Sequence, residues 1–462
     1  MLIKNRWAIN RFLSLLLAII IILSSLSSCI LFRIPASSKD DIKANIASSS
    51  ESYSYAYQYL ANWGMPIFDY TKFLYFESVV TKYYCYSELP DTKEHARLTA
   101  EAFLEYYYDD LTLSDKEGVT DALLTCYVAV LGDPYSLYRE PVATEEFETD
   151  MSGKFGGIGV MIEYDHKNET LMVNTVFIDS PAEHAGVCIG DYIYAVNGKT
   201  VKELGYLNAV YYIRGEVGTY VELTLLRGGE YVTISVLRDE IEEISVSHSI
   251  DEETGFGYVE IVAFKENTFE QFKESIDALQ KAGVPGIIFD LRGNPGGYVN
   301  SVCDVLSYIL PSGLIVITYQ FKGQESIVRR TMPDGTEDHT LDLPIVVICD
   351  ENTASAGEIF TAAVRDYRNE GLLNATIVGT TTFKKGIMQS GYSYVDGSTI
   401  TLTTAFYNPP SGVNYHGIGI NPDVYVSLPE AELDPETGKY IPVNDTQLES
   451  AFEELKKLVN AN

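Results

Sequence analysis

The stretch from Leu343 to Gln389 constrains this chain more than any other. An apolar run from Leu343 to Cys349, with Pro344 at its start, reads as a buried strand. Asp350-Glu-Asn follows, then Thr353-Ala-Ser-Ala-Gly-Glu358 running into a helical pattern. A serine at such a junction has its hydroxyl at the carboxyl end of the strand with helix N–H groups beside it. That suits a nucleophile that generates an oxyanion. The small neighbours Ala354, Ala356 and Gly357 leave room for a substrate backbone.

Ser355 needs a base. The six histidines (His95, His166, His184, His248, His339 and His416) show no triad spacing, and only His416 lies in a Gly-rich segment. A lysine is the other option. It must be neutral to accept a proton, and bringing a side chain from about 10.4 to near 7.5 costs about 4 kcal/mol, which apolar burial can supply. Lys385, among Phe383, Ile387 and Met388, has such surroundings; if Lys385 to Gln389 is extended, Gln389 shares its face and can position the amine. The plainer readings are a small residue at a helix start for Ser355 and a solvated loop charge beside Lys384 for Lys385.

The 462 residues are enough for two or three domains, and 33 basic against 65 acidic residues give a net charge of −32. That excludes nucleic acid as a partner and an electrostatic hold on anionic lipid. Residues 1–31 read as an export signal: Lys4, Arg6 and Arg11, an apolar run from Phe12 to Leu26, then Leu26-Ser-Ser-Cys29. The ending resembles a bacterial lipobox, which makes Cys29 the lipidated first residue of the mature chain; an uncleaved anchor over Phe12 to Phe32 is the alternative. Either places the remainder on the outer face of a bacterial cell membrane. The other cysteines (Cys85, Cys126, Cys188, Cys303, Cys349) are odd in number and lack any C-x-x-C, so neither a disulfide framework nor a metal site is assigned, and no cofactor.

Residues 32–70 read as a tether and 71–150 as a helical region, with Phe73, Phe76, Val79 and Val80 and later Ala122, Leu123, Cys126 and Val130 at helical spacing. Over 151–240, strand-like runs alternate with Gly-rich turns. Phe155-Gly-Gly-Ile-Gly-Val160 presents successive backbone N–H groups as a nest for a carboxylate, and the strand after it can pair with an extended peptide. With Ser180-Pro-Ala-Glu-His-Ala-Gly186, Gly190-Asp191 and Ile213-Arg-Gly-Glu-Val-Gly-Thr219, this segment resembles a PDZ domain, with Gly157, Ile158, Gly159 and Val160 as the site for a substrate C-terminus. From 241 to 428 strands and helices alternate: Gly257 to Phe264 as strand, Thr268 to Ala282 as helix, Gly286 to Asp290 as buried strand. Asp290-Leu-Arg-Gly-Asn-Pro-Gly-Gly297 then leads into a helix from Tyr298 to Leu310.

The PDZ-like segment, D-L-R-G-N-P-G-G, T-A-S-A-G-E-I-F, F-K-K-G-I-M-Q and Gly417-Ile-Gly-Ile-Asn-Pro-Asp423, in that order over roughly residues 115–425, resemble the carboxyl-terminal processing (tail-specific) serine proteases. The resemblance implies a multidomain α+β protein: an N-terminal helical region, a PDZ-like β domain and an α/β layered serine protease domain. It implies Ser355 as nucleophile, Lys385 as general base, Gln389 beside it, and oxyanion donors from the N–H of Ala356 and of Gly296 or Gly297. Two departures stand out: the family usually has Ser at the positions of Thr353 and Gly357, and Gly at that of Lys384. The expected partners are proteins or peptides with a free C-terminus, captured while partly unfolded and cleaved through an acyl-enzyme. The architecture leaves room for a regulatory protein partner.

Residues 429–462 form a tail in which Leu448, Phe452, Leu455 and Leu458 or Val459 make an apolar stripe over Gln447 to Val459. Packing on its own domain is one reading and a homodimer contact the other. Two further functions stay open: a catalytically inactive, lipid-anchored PDZ scaffold that binds protein C-termini, and a Ser-His hydrolase using His416.

Overall fold

The computed structural model describes residues 68–86, 92–107, 116–332, 341–429 and 444–461. The leader, Cys29 and nearly all of the tether lie outside these residues, and among the described residues no helix is long and apolar enough to cross a membrane. The chain divides into two compact units, one formed by the chain up to Phe147 together with everything from Ser245 onward, the other by Glu148–Ile244.

The larger unit is built on a six-stranded sheet. Its neighbours run in the order Val246–Ile250, Gly257–Ile261, Ile287–Asp290, Ile345–Cys349, Ala375–Gly379 and Val424–Tyr425, antiparallel for the first pair and parallel thereafter. A parallel sheet needs cover on both faces, which is why Ile345–Cys349 is apolar without alternation and wholly buried. Alternate side chains enter different cores. Ile345, Val347 and Cys349 meet Phe289, Phe360 and the helices Thr268–Ala282 and Val299–Ile309. Val346 and Ile348 meet Ala451 and Leu455 of the terminal helix Thr446–Ala461. The tail's apolar stripe is therefore used within its own unit. An Arg292 guanidinium bonded to Asp290 and Asp445 ties that helix to the carboxyl end of the strands.

A second sheet of the same unit pairs Leu137–Arg139, Thr399–Asn408, Ile315–Phe321 and Ile327–Arg330, with Ile387–Ser393 also on Thr399–Asn408. Its residues likewise serve two cores. Met388, Ala405 and Tyr407 face the main one, while Tyr392, Ile400 and Leu402 are covered by the helices Tyr70–Tyr83, Thr92–Tyr106 and Lys116–Ala129. The helical region thus shares a core with the catalytic unit, since the sheet would otherwise expose an apolar face. Two strands are shorter than the sequence pattern suggests. Gly257 pairs only as far as Ile261, with Phe264 returning as an isolated bridge to Gly297. The strand expected from Lys385 begins at Ile387 and shifts register between Met388 and Gln389. That bulge breaks the simple alternation that would put residues 385, 387 and 389 on one face.

The smaller unit is an antiparallel sheet in the order Val160–Asp165, Thr170–Val176, Tyr192–Val196, Tyr220–Arg227 and Glu230–Leu237, with the helix Tyr206–Ile213. Leu171, Val173, Ile193, Val221, Leu223 and Val236 fill its core. A separate ribbon pairs Lys154–Gly157 with Asp239–Glu242, joining the unit's first and last strands.

Candidate active site

Where the strand Ile345–Cys349 ends, Asp350 organises the turn: its Oδ1 accepts the N–H groups of Asn352, Thr353 and Gly293 at 3.1, 2.9 and 2.9 Å. The chain then passes through Ser355 into the helix Ala356–Asn369. Ser355 is fully buried and has φ 52° and ψ −110°, a conformation that a non-glycine residue holds only under strain from well-fixed surroundings.

The fixing group is Glu358, which is also fully buried. Its Oε2 accepts the N–H of Ser355 at 3.0 Å and of Lys385 at 2.8 Å; its Oε1 accepts the N–H of Lys384 at 2.7 Å and the Thr382 hydroxyl at 2.6 Å. One carboxylate oxygen therefore holds the backbones of both Ser355 and Lys385. Burial pushes the Glu358 carboxyl up from its ordinary value, against the pull of these donors. The sequence reading gave Glu358 no role, although a serine followed three residues later by Glu at a helix start is a capping-box signal.

Lys385 is buried, 3% exposed, while its neighbour Lys384 is exposed. The Lys385 Nζ lies 4.6 Å from the centre of the Tyr135 ring, and its carbonyl accepts the Tyr407 hydroxyl at 2.7 Å. Gln389 is buried with its Nε2 on Thr403 Oγ1 at 3.2 Å, and its Oε1 has no hydrogen-bond partner among the described residues. His416 has a buried Nδ1 without a hydrogen-bond partner among the described residues, and burial holds it below the usual histidine range.

The Gly-Gly turn packs directly on the serine. Asn294 staples it there: its carbonyl accepts the N–H of Ala354 at 2.8 Å, its Nδ2 reaches Ile261 O at 2.6 Å, and its Oδ1 takes the Gly296 N–H at 2.8 Å. A Cβ on Gly296 would lie 2.8 Å from Ser355 Cβ, and one on Gly297 would lie 2.1 Å from Phe264 O, so neither position admits a side chain. The Gly296 N–H is occupied; those of Gly297 and Ala356 donate to no group among the described residues.

Both departures from the family pattern fit locally. Thr353 Oγ1 donates to Leu291 O at 2.7 Å, and its methyl would sit 3.1 Å from a Cβ at position 357, so Gly357 makes room for the larger residue. Lys384 has φ 85°, the region that favours glycine, and keeps its side chain in solvent.

In the smaller unit the N–H groups of Ile158 and Gly159 likewise donate to no group among the described residues, while their carbonyls accept from Ala182 and Phe177 at 2.8 and 3.0 Å. Gly157 ends the ribbon, and Val160 begins the strand at the sheet's edge. The Ile158 side chain is buried in the unit's core, so only its backbone faces the loop.

Residues 255–426 match peptidase family S41, and residues 148–237 match the PDZ domain. The chain is 32% identical over 331 residues to the carboxy-terminal processing protease CtpA of Bacillus subtilis (strain 168), covering 71% of this chain and 68% of that one. It is 34% identical over 332 residues to a probable CtpA-like serine protease of Staphylococcus epidermidis, covering 71% and 65%. The match thus spans about two thirds of these relatives' length. A photosystem II D1 C-terminal processing protease is similar among solved structures, at 26% identity over 77% of this chain and 92% of that one, with a TM-score of 0.44. With the PDZ segment set ahead of the matched catalytic region, the chain belongs to peptidase family S41.

Proposed function

We propose that this chain is an extracytoplasmic serine endopeptidase that captures the free C-terminal tail of partly unfolded proteins and cleaves by a Ser-Lys acyl-enzyme mechanism. The observation that carries the reading is the shared Glu358 oxygen, which brings the backbones of a buried serine and a buried lysine onto one acceptor. Lys385 takes the proton of Ser355 as the hydroxyl oxygen attacks the scissile carbonyl. Gln389, with a buried Oε1 free to accept, holds the resulting ammonium. The N–H groups of Ala356 and Gly297 stabilise the oxyanion, Gly297 being preferred to Gly296 because the latter's N–H is occupied. The ammonium returns its proton to the leaving amine, and water, deprotonated by the same lysine, releases the acyl group.

In the PDZ unit the N–H groups of Ile158 and Gly159 bind the tail carboxylate, and the edge strand from Val160 pairs with the peptide. Cys29 carries the lipid that anchors the chain to the outer face of the cell membrane.

Intact-mass spectrometry of an unstructured protein with an apolar tail, incubated with the chain from Lys39 onward, tests the mechanism. Wild type and His416→Ala shorten the substrate; Ser355→Ala does not, and Lys385→Ala is slowed by about 10²–10⁴-fold. Full activity in Lys385→Ala would refute it. Amidating the tail should abolish binding to Ser355→Ala, and fatty-acid labelling should disappear in Cys29→Ser.

A further inference from the structure

Beside Lys385 the larger unit has a cavity of about 640 Å³ that the mechanism does not use. Tyr84, Tyr86 and Tyr135 wall it, Leu131 contributes an apolar edge, and Asp133 and His416 supply its polar atoms. Tyr135 is also the ring that lies 4.6 Å from Lys385 Nζ, so the cavity adjoins the catalytic lysine. With Lys385 acting on Ser355 as proposed, a side chain flanking the scissile bond would lie on the side of this cavity.

We propose that this cavity is a specificity subsite for a lysine or arginine side chain flanking the scissile bond. The inference rests on the Ser355 and Lys385 reading above and adds the substrate class. Asp133 is buried, 8% exposed, and rigidly held: Oδ1 accepts the Tyr135 N–H at 3.0 Å and Oδ2 the Ser136 hydroxyl at 2.6 Å, while Ser136 Oγ in turn accepts the Thr403 N–H at 3.0 Å. Each carboxylate oxygen keeps a second acceptor position. Asp133 forms no ion pair among the described residues, and no lysine or arginine lines the cavity. Lys322, an exposed cation, donates to the Tyr86 carbonyl at 3.3 Å and is not part of the lining.

The remaining walls carry no compensating charge. Burial first, and the Asp133 charge second, push the Tyr84 and Tyr86 hydroxyls up, so both stay protonated; burial keeps His416 neutral. A buried carboxylate ringed by aromatic faces favours a cation twice over, through charge-assisted hydrogen bonds and through the rings. An apolar or acidic side chain would dehydrate Asp133 without giving it a partner.

The test uses peptides that all end in one common tail with a free C-terminal carboxylate, so that carboxylate capture contributes equally to each. They carry arginine, lysine, citrulline, norleucine or glutamate at each position flanking a mapped cut. Wild type should cleave the arginine peptide at least about tenfold faster, in kcat/KM, than the citrulline peptide at one fixed flanking position, and Asp133→Asn should collapse that ratio. Equal rates for arginine and citrulline, or a ratio preserved in Asp133→Asn, would overturn the proposal. Citrulline, an uncharged near-isostere of arginine, poses the question without altering the protein should Asp133→Asn fail to fold. If wild type cleaves nothing, the mechanism above fails separately. Calorimetric binding of the same peptides to Ser355→Ala then decides the subsite: tighter binding of arginine than citrulline supports it, and equal binding refutes it.

Discussion

Glu358→Gln is the most informative single change. The native carboxylate satisfies three backbone N–H groups and one hydroxyl with two oxygens. A glutamine places an NH₂ group where one oxygen stood. In one orientation that group faces the N–H of both Ser355 and Lys385; in the other it faces the Lys384 N–H and Thr382 Oγ1, which already accepts the Ile420 N–H at 2.8 Å. Two donors lose their acceptor either way, at about 1–3 kcal/mol each. Relief from burying a charge offsets part of this. The net destabilisation should be about 2–4 kcal/mol, visible as a fall of several degrees in Tm for a protein of this size. Activity should fall by at least about 10²-fold, because the strained serine and the lysine are no longer fixed to one atom. Thermal melts and tail-cleavage rates, with Ser355→Ala as the background, measure both. A variant with Tm within a degree of wild type and kcat within twofold would show that Glu358 positions nothing.

Three further outcomes follow from the same structure. Gly357→Ser should cost about 1–2 kcal/mol against the Thr353 methyl, and less in a Thr353→Ser background; a double-mutant cycle of melts with no coupling would refute that compensation. Lys384→Gly should retain activity and raise stability by up to about 1 kcal/mol by relieving the positive φ, read as a higher Tm; a loss of stability would count against strain at this residue. Asp191 should make stability fall in acid: burial alone would raise its carboxyl, but two Arg227 bonds at 2.7 Å and the Cys188 N–H at 2.8 Å hold it below the ordinary value. A depressed native value contributes stability above the unfolded value of about 4 and loses it as pH falls through the native one, so the acid arm of the melting profile should flatten in Asp191→Asn.

Much of the local structure was legible because it depends on neighbours along the chain. The apolar period from Thr268 to Ala282 marks a helix that the fold keeps with the same ends. The unbroken apolar run before Cys349 marks a strand covered on both faces. The junction at Ser355 and the glycines at 296 and 297 were recognisable for the same reason: their residue types answer to steric demands within a few residues.

What the sequence by itself determined is therefore the set of elements, the serine at a strand-to-helix turn and the pair of lysines near it. Only the tertiary structure decided which lysine is buried, which glycine N–H is open and which side chain fixes the serine. Glu358 reaches residues 24 to 27 positions away, Tyr407 bonds a carbonyl 22 positions away, and Asp133 and His416, far apart in the chain, line one cavity. Periodicity records which side of an element is apolar; it carries no record of which distant polar atom completes a buried hydrogen bond. Burial makes such an unpaired donor or acceptor costly, so the folded chain as a whole, and not any segment of it, selects the partners.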